Sequence, residues 1–115
     1  MAEADELVVQ TESTPDGVIL RPQGDIDLSR SPSFRRRLNE AQTRKPGKLI
    51  VDLDEVPYMD SSGVATLVEA MQVARKQGHR LVLCNMQERV RSIFEIAKLE
   101  TVFTIVDDVD KARTV

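Results

Sequence analysis

Two short runs rich in β-branched residues open the chain, ELVVQTE at 6–12 and GVILRP at 17–22. The STPDG between them carries turn chemistry, because proline presets φ and glycine accepts positive φ, so the pair reads as a hairpin. Gly24 begins a loop, GDIDLSRS. Ser31 before Pro32 has the pattern of an N-cap with proline at the first helical position. Phe34, Leu38 and Ala41 follow at helical spacing and predict a helix over 32–43. KPGK closes it, and GKLIVDL at 47–53 has the continuous apolar character of a central strand covered on at least one face.

The second half repeats the alternation. Val64, Leu67, Val68, Met71 and Ala74 recur at steps of three and four, predicting a helix over 61–77 that ends at Gly78. HRLVLCN is the next strand, and MQERVRSIFEIAKL offers Val90, Ile93, Phe94 and Ala97 as a second amphipathic face. VFTIV is a last strand and DDVDKARTV a short terminal helix. The order β-β-α-β-α-β-α-β-α predicts one α/β domain over 1–115. Its mixed, mostly parallel sheet has about five strands with about four helices around it, the first strand antiparallel at one end.

Composition narrows the function classes. The chain has no Trp, one Tyr and a net charge of −3, which leaves little material for stacking on bases or covering phosphates, so no direct nucleic-acid partner is expected. The single cysteine, Cys84, excludes an internal disulfide and a cysteine metal cluster, and its place in LVLCN makes it a small core hydrophobe. The acidic N-terminus lacks the basic start of a signal peptide, and no apolar run approaches the roughly 20 residues that span a bilayer. A cytoplasmic protein without membrane insertion is expected.

Enzyme chemistry finds no support. A serine nucleophile needs a base, and the one histidine, His79, begins a strand a full helix away from the serines, near the opposite edge of the expected sheet. Neither a G-x-S-x-G elbow nor a Walker A or G-x-G-x-x-G phosphate cradle occurs. Asp52, Asp54, Asp60 and the Asp25/Asp27 pair could in principle bind Mg²⁺, but Asp52 lies within an apolar strand and no established metal spacing appears.

What stands out is VPYMDSSGVATLVEA at 56–70, with an aspartate, two serines and a glycine at the mouth of a helix that needs one cap. Asp60, Ser61 or Ser62 can supply that cap. Gly63 costs helix stability relative to alanine but lets another surface approach the first turn. A serine there is also a natural phosphate acceptor, since a helix N-terminus tolerates added negative charge. Tyr58 and Met59 either form the rim of a contact surface or pack over the helix start. Arg35, Arg36 and Arg37 read as a solvated face, with a contact to an acidic partner as the lesser reading.

LIVDLDEVPYMDSSGVATLVEA resembles the signature of STAS domains, in particular the bacterial anti-sigma factor antagonists, and GDID at 24–27 resembles that family's second motif. The similarity in element order runs over about residues 5–112. The resemblance implies that Ser61, the first serine of the pair, is phosphorylated by a partner that is both anti-sigma factor and serine kinase. Unphosphorylated antagonist would bind that partner and free the sigma factor; the phosphorylated form would not bind, and a separate serine phosphatase would reset it. It further implies that Asp27 and Asp60 lie near Ser61 and contribute, with Ser62, Gly63, Tyr58 and Met59, to the partner surface. ATP would belong to the kinase, so no cofactor is expected here, and nothing demands more than a monomer. The competing expectations are a STAS scaffold or transporter-associated subunit without a serine switch, and an anion- or nucleotide-sensing module.

Overall fold

The computed structural model describes residues 6–115; residue 5, where the sequence puts the start of the core, lies outside them. The strands are β1 (Val8–Thr14), β2 (Gly17–Gln23), β3 (Lys48–Asp52), β4 (Arg80–Cys84) and β5 (Thr104–Val106). The helices are α1 (Ser31–Thr43), α2 (Ser61–Gln77), α3 (Glu88–Ile96) and α4 (Val109–Thr114). One sheet runs in the order β1-β2-β3-β4-β5, antiparallel between β1 and β2 and parallel thereafter. The element order and the mixed sheet are those the apolar pattern predicts.

Because β2 to β5 lie side by side in chain order, three crossovers of the same hand carry α1, α2 and α3 to one face of the sheet. The alternation of side chains along each strand then sorts the core into two layers. Val18, Leu20, Leu49, Val51, Leu81 and Leu83 face α1–α3 and join Phe34, Leu38, Leu67, Val90 and Phe94. Ile19, Ile50, Val82 and Cys84 face the other way and are covered by α4 through Ala112 and Val109. Lys48 pins α4 by donating from Nζ to the carbonyls of Ala112 and Arg113, both at 3.0 Å, at the helix end where a cation is favoured.

Several local expectations are corrected. β1 begins later than predicted and extends to Thr14, leaving Pro15 and Asp16 as a two-residue turn. Gly17 does not adopt positive φ; its value is space, since a Cβ there would collide with the Lys48 carbonyl of β3. Ser31 is the first helical residue of α1 rather than its cap. The cap position falls to Arg30, without a side-chain cap bond, because the Asp27 carbonyl already accepts the N–H groups of Arg30 and Ser31 at 3.0 and 2.8 Å. α3 is shorter than its apolar pattern suggests, and Ala97, expected on its buried face, is the exposed C-cap.

Candidate functional site

The site forms where two loops meet at the C-terminal ends of the strands. The segment after β2 runs beside the segment after β3, and the two are stitched by backbone hydrogen bonds. Gly24 N–H donates to the Glu55 carbonyl at 2.8 Å, Ile26 N–H to the Tyr58 carbonyl at 3.0 Å, and Asp60 N–H to the Ile26 carbonyl at 3.1 Å. Ile26 and Met59 form a parallel bridge between them and are fully buried. The next residue on each side is an aspartate, which is how Asp27 and Asp60 come to flank the start of α2.

Asp60 is the N-cap of α2. Its Oδ1 accepts the Ser62 N–H at 2.9 Å and the Ser62 hydroxyl at 2.6 Å. The Ser62 hydroxyl above all, with the N–H groups of Ser62, Gly63 and Leu28 adding to it, holds the Asp60 carboxyl below the usual carboxylate range against the opposing effect of partial burial. The Asp60 carbonyl also takes the N–H groups of Gly63 and Val64 at 3.1 and 3.2 Å. Asp27 is held in the same manner one loop away. Its Oδ1 accepts the Ser29 hydroxyl at 2.7 Å and the N–H groups of Ser29 and Arg30 at 3.1 and 3.2 Å. The Ser29 hydroxyl is again the main cause of a lowered pKa.

Ser61 is different from its neighbours. It occupies the first position of α2 and is exposed, and among the described residues none bonds its hydroxyl. Of the two serines, then, Ser62 is locked onto the cap and Ser61 is presented. The N–H groups of Ser62, Gly63 and Val64 at this helix end are already satisfied by Asp60.

Two residues assigned to the surface belong beneath it. Met59 is 0% exposed and packs under the first turn of α2. Gly63 is buried as well: a Cβ there would lie 2.5 Å from Met59 Cγ and 2.9 Å from Ile26 Cγ2. The glycine makes room for the protein's own bridge, not for a partner. Tyr58 is 38% exposed at the rim, and Leu28, which the sequence reading passed over, is 75% exposed beside Asp27. Strand-like alternation continued from buried Ile26 past Asp27 would bury residue 28, but the turn closed by Asp27 rotates the chain and puts Leu28 outside.

The remaining candidates lie elsewhere. His79 precedes β4 at the opposite end of the strands, where its Nε2 donates to Gln42 Oε1 at 2.7 Å; the Gln42 amide is oriented by its own bond to the Ala70 carbonyl at 3.2 Å. Burial lowers the His79 pKa. Asp52 sits on the α4 side of the sheet, sharing Arg21 Nε at 3.3 Å, Asn85 Nδ2 at 3.0 Å and the Asp54 N–H at 3.1 Å. The two sets of carboxylates therefore do not converge, and among the described residues no group of three or more His, Cys, Asp or Glu is placed to hold a metal ion. Arg35, Arg36 and Arg37 pair with Glu69, Glu6 and Glu40 along a solvated face.

The family model described as STAS domain matches residues 8–112. An anti-sigma-B factor antagonist of Listeria monocytogenes is 32% identical over 94 residues, 82% of each chain. A crystal structure of an anti-sigma factor antagonist from Mycobacterium paratuberculosis superposes with a TM-score of 0.87 at 18% identity, covering 99% of this chain and 97% of that one. The antagonist SpoIIAA matches in its unphosphorylated form with a TM-score of 0.71, at 21% identity over 93% and 94% of the two chains. The phosphorylated form of SpoIIAA, from Bacillus, matches at 0.72, with 22% identity over 93% and 96%. Motif, sheet order and sequence kinship together make the chain a member of the STAS domain family, related in sequence to the anti-sigma factor antagonists.

Proposed function

We propose that this chain is an anti-sigma factor antagonist whose binding is switched by phosphorylation of Ser61. The observation that carries the reading is the contrast within the serine pair: Ser62 is bound to the Asp60 cap, while the Ser61 hydroxyl is exposed and bonded by none of the described residues. Kinship with the Listeria antagonist supplies the partner class. In this reading the unphosphorylated chain binds an anti-sigma factor that is also a serine kinase, and the sigma factor is released. ATP is held by that partner, and a serine phosphatase returns the modified chain to its binding state. The protein acts in the cytoplasm as a monomer, by binding and not by catalysis. Among the described residues no helix is long and apolar enough to cross a membrane, which is compatible with that setting.

The electrostatics give the switch its direction. A phosphate adds about two negative charges, here next to two carboxylates that their hydrogen bonds keep ionised. The N–H groups of Ser62, Gly63 and Val64 are already taken by Asp60 and do not receive the phosphate. The phosphate stays hydrated, and an interface that needs this surface dry or carries acidic groups opposite it loses its binding energy.

The test is to isolate the protein from its native cells and locate phosphate by intact mass and peptide mapping, with Ser61→Ala as control. Binding of an anti-sigma factor kinase is then measured before and after phosphatase treatment. Phosphate on Ser61, with the kinase held only by the unmodified form, supports the proposal. A Ser61 never modified under varied growth conditions, with a transporter or scaffold bound throughout, would replace it by the non-switching reading.

A further inference from the structure

Leu28 is the unexplained residue of the site. Its side chain is 75% exposed, yet its backbone is held firmly. The turn that carries it is closed by the bonds from Ser29, Arg30 and Ser31 to Asp27. A large apolar side chain on an ordered turn stands exposed to water in the free protein and needs little further ordering when something covers it.

Its surroundings extend the same surface. Ser61, Ala65 and Glu69 follow at four-residue steps along one face of α2, and Ala65 is exposed. Pro32 is exposed one turn before Arg35 on α1, and the Arg35–Glu69 ion pair at 3.3 Å ties the two helix faces together. Between the Asp27/Asp60 carboxylates and that ion pair, the helix starts therefore present Leu28, Pro32 and Ala65 beside Ser61. Ile96, 83% exposed, lies away from it: it ends α3, which runs back toward the N-terminal ends of the strands.

We infer that Leu28 is the apolar anchor of the partner interface, seated in an apolar pocket of the anti-sigma factor kinase whose rim donates hydrogen bonds to Asp27 and Asp60. The inference rests on the function proposed above. The commitment to this occupant follows from continuity: the Ile26–Met59 bridge and the bond from Asp60 N–H to the Ile26 carbonyl set the turn carrying Asp27 and Leu28 beside Asp60 and Ser61, so a partner that reads Ser61 covers Leu28. It also says why a phosphate is effective there. A hydrated phosphoryl group beside Leu28 keeps water in the region that must become dry for the anchor to be covered.

The test measures affinity of the anti-sigma factor kinase from the source organism for the full-length chain by calorimetry, and its KM for phosphorylation of the same chain. Leu28→Ser is expected to weaken binding at least about tenfold and raise KM in step, as loss of a central anchor does. Leu28→Met, which keeps apolar volume, is expected to stay within about threefold of the unmodified chain, and Ile96→Ser to bind unchanged. Leu28 is exposed, so all three variants should melt as the parent does. Wild-type affinity and KM in Leu28→Ser would overturn the inference and leave the function standing. A kinase that neither binds nor phosphorylates the parent chain would overturn the function, and this inference with it.

Discussion

Ser62 and Asp60 form a closed unit: a carboxylate takes the Ser62 hydroxyl and N–H, and its own carbonyl takes the next two N–H groups of α2. Of the two serines, this division of labour leaves the Ser61 hydroxyl exposed and outside the helix cap. Beneath it, Gly63 has a purpose that shows only in packing. Alanine is the better helix former by about 1 kcal/mol, so on propensity alone Gly63→Ala would stabilise α2. The added methyl, however, would meet Met59 Cγ at 2.5 Å and Ile26 Cγ2 at 2.9 Å. Met59 can bend, but Ile26 is β-branched, fully buried and fixed by the bridge. Overpacking of this kind costs roughly 1–3 kcal/mol, so the clash outweighs the propensity. Urea denaturation of Gly63→Ala should show a net loss of about 1 kcal/mol, with a weaker grip between the 24–27 and 55–60 segments. A gain in stability would mean that the bridge yields readily.

α4 illustrates how a short element can guard one face of a sheet. It is six residues long, yet Val109 and Ala112 cover Ile19, Ile50, Val82 and Cys84, and Lys48 holds its end. Burial, aided by the nearby Asp52 carboxylate, pushes the Cys84 thiol up to about 12, so the reactive thiolate is scarce at neutral pH. The native chain should therefore resist thiol reagents at pH 8, whereas a chain truncated after Asp107 should react readily while α1–α3 remain packed on the other face. Rapid labelling of the intact chain would show instead that α4 detaches on its own. The elements differ in how far their sequence announces them. α2 is legible to its ends because Asp60 and Gly78, at φ 81°, mark both caps chemically. α3 is not, because its end is a Schellman-like turn in which Lys98 takes φ 59° and Leu99 N–H reaches back to the Phe94 carbonyl at 2.8 Å. No glycine marks that stop, and Leu99 still packs on the core, so apolar spacing runs on past the helix. At the site, Asp27, Asp60 and Ser61 could be picked out by motif. The inward turn of Met59 and Gly63 could not, because it depends on a bridge between segments thirty-odd residues apart in the chain.

Across the whole molecule the site is a surface laid over a finished core, and this decides what kind of switch it can be. A conformational switch needs an element with two arrangements of similar free energy whose balance the modification tips. Here the layer under Ser61 is filled by Ile26, Met59 and Val64, and the two loops are fastened at Gly24, Ile26 and Asp60. The Ser61 side chain takes part in none of it. A phosphate would add charge and bulk outside this layer without removing a bond from it. The expected outcome is a local response: amide shifts of the phosphorylated chain change for residues 24–30 and 58–66, and β4, α3, β5 and α4 keep their positions in the spectrum. Unfolding free energies of the two forms, from urea denaturation, should differ by no more than a typical surface change, about 0.5 kcal/mol. Shifts spread across the sheet, or hydrogen exchange that loosens α1 or α2 throughout, would mean that the phosphate acts through the fold. Confined shifts, together with loss of kinase binding, would place the entire effect at the interface, where the hydration of one phosphoryl group decides whether two surfaces can close.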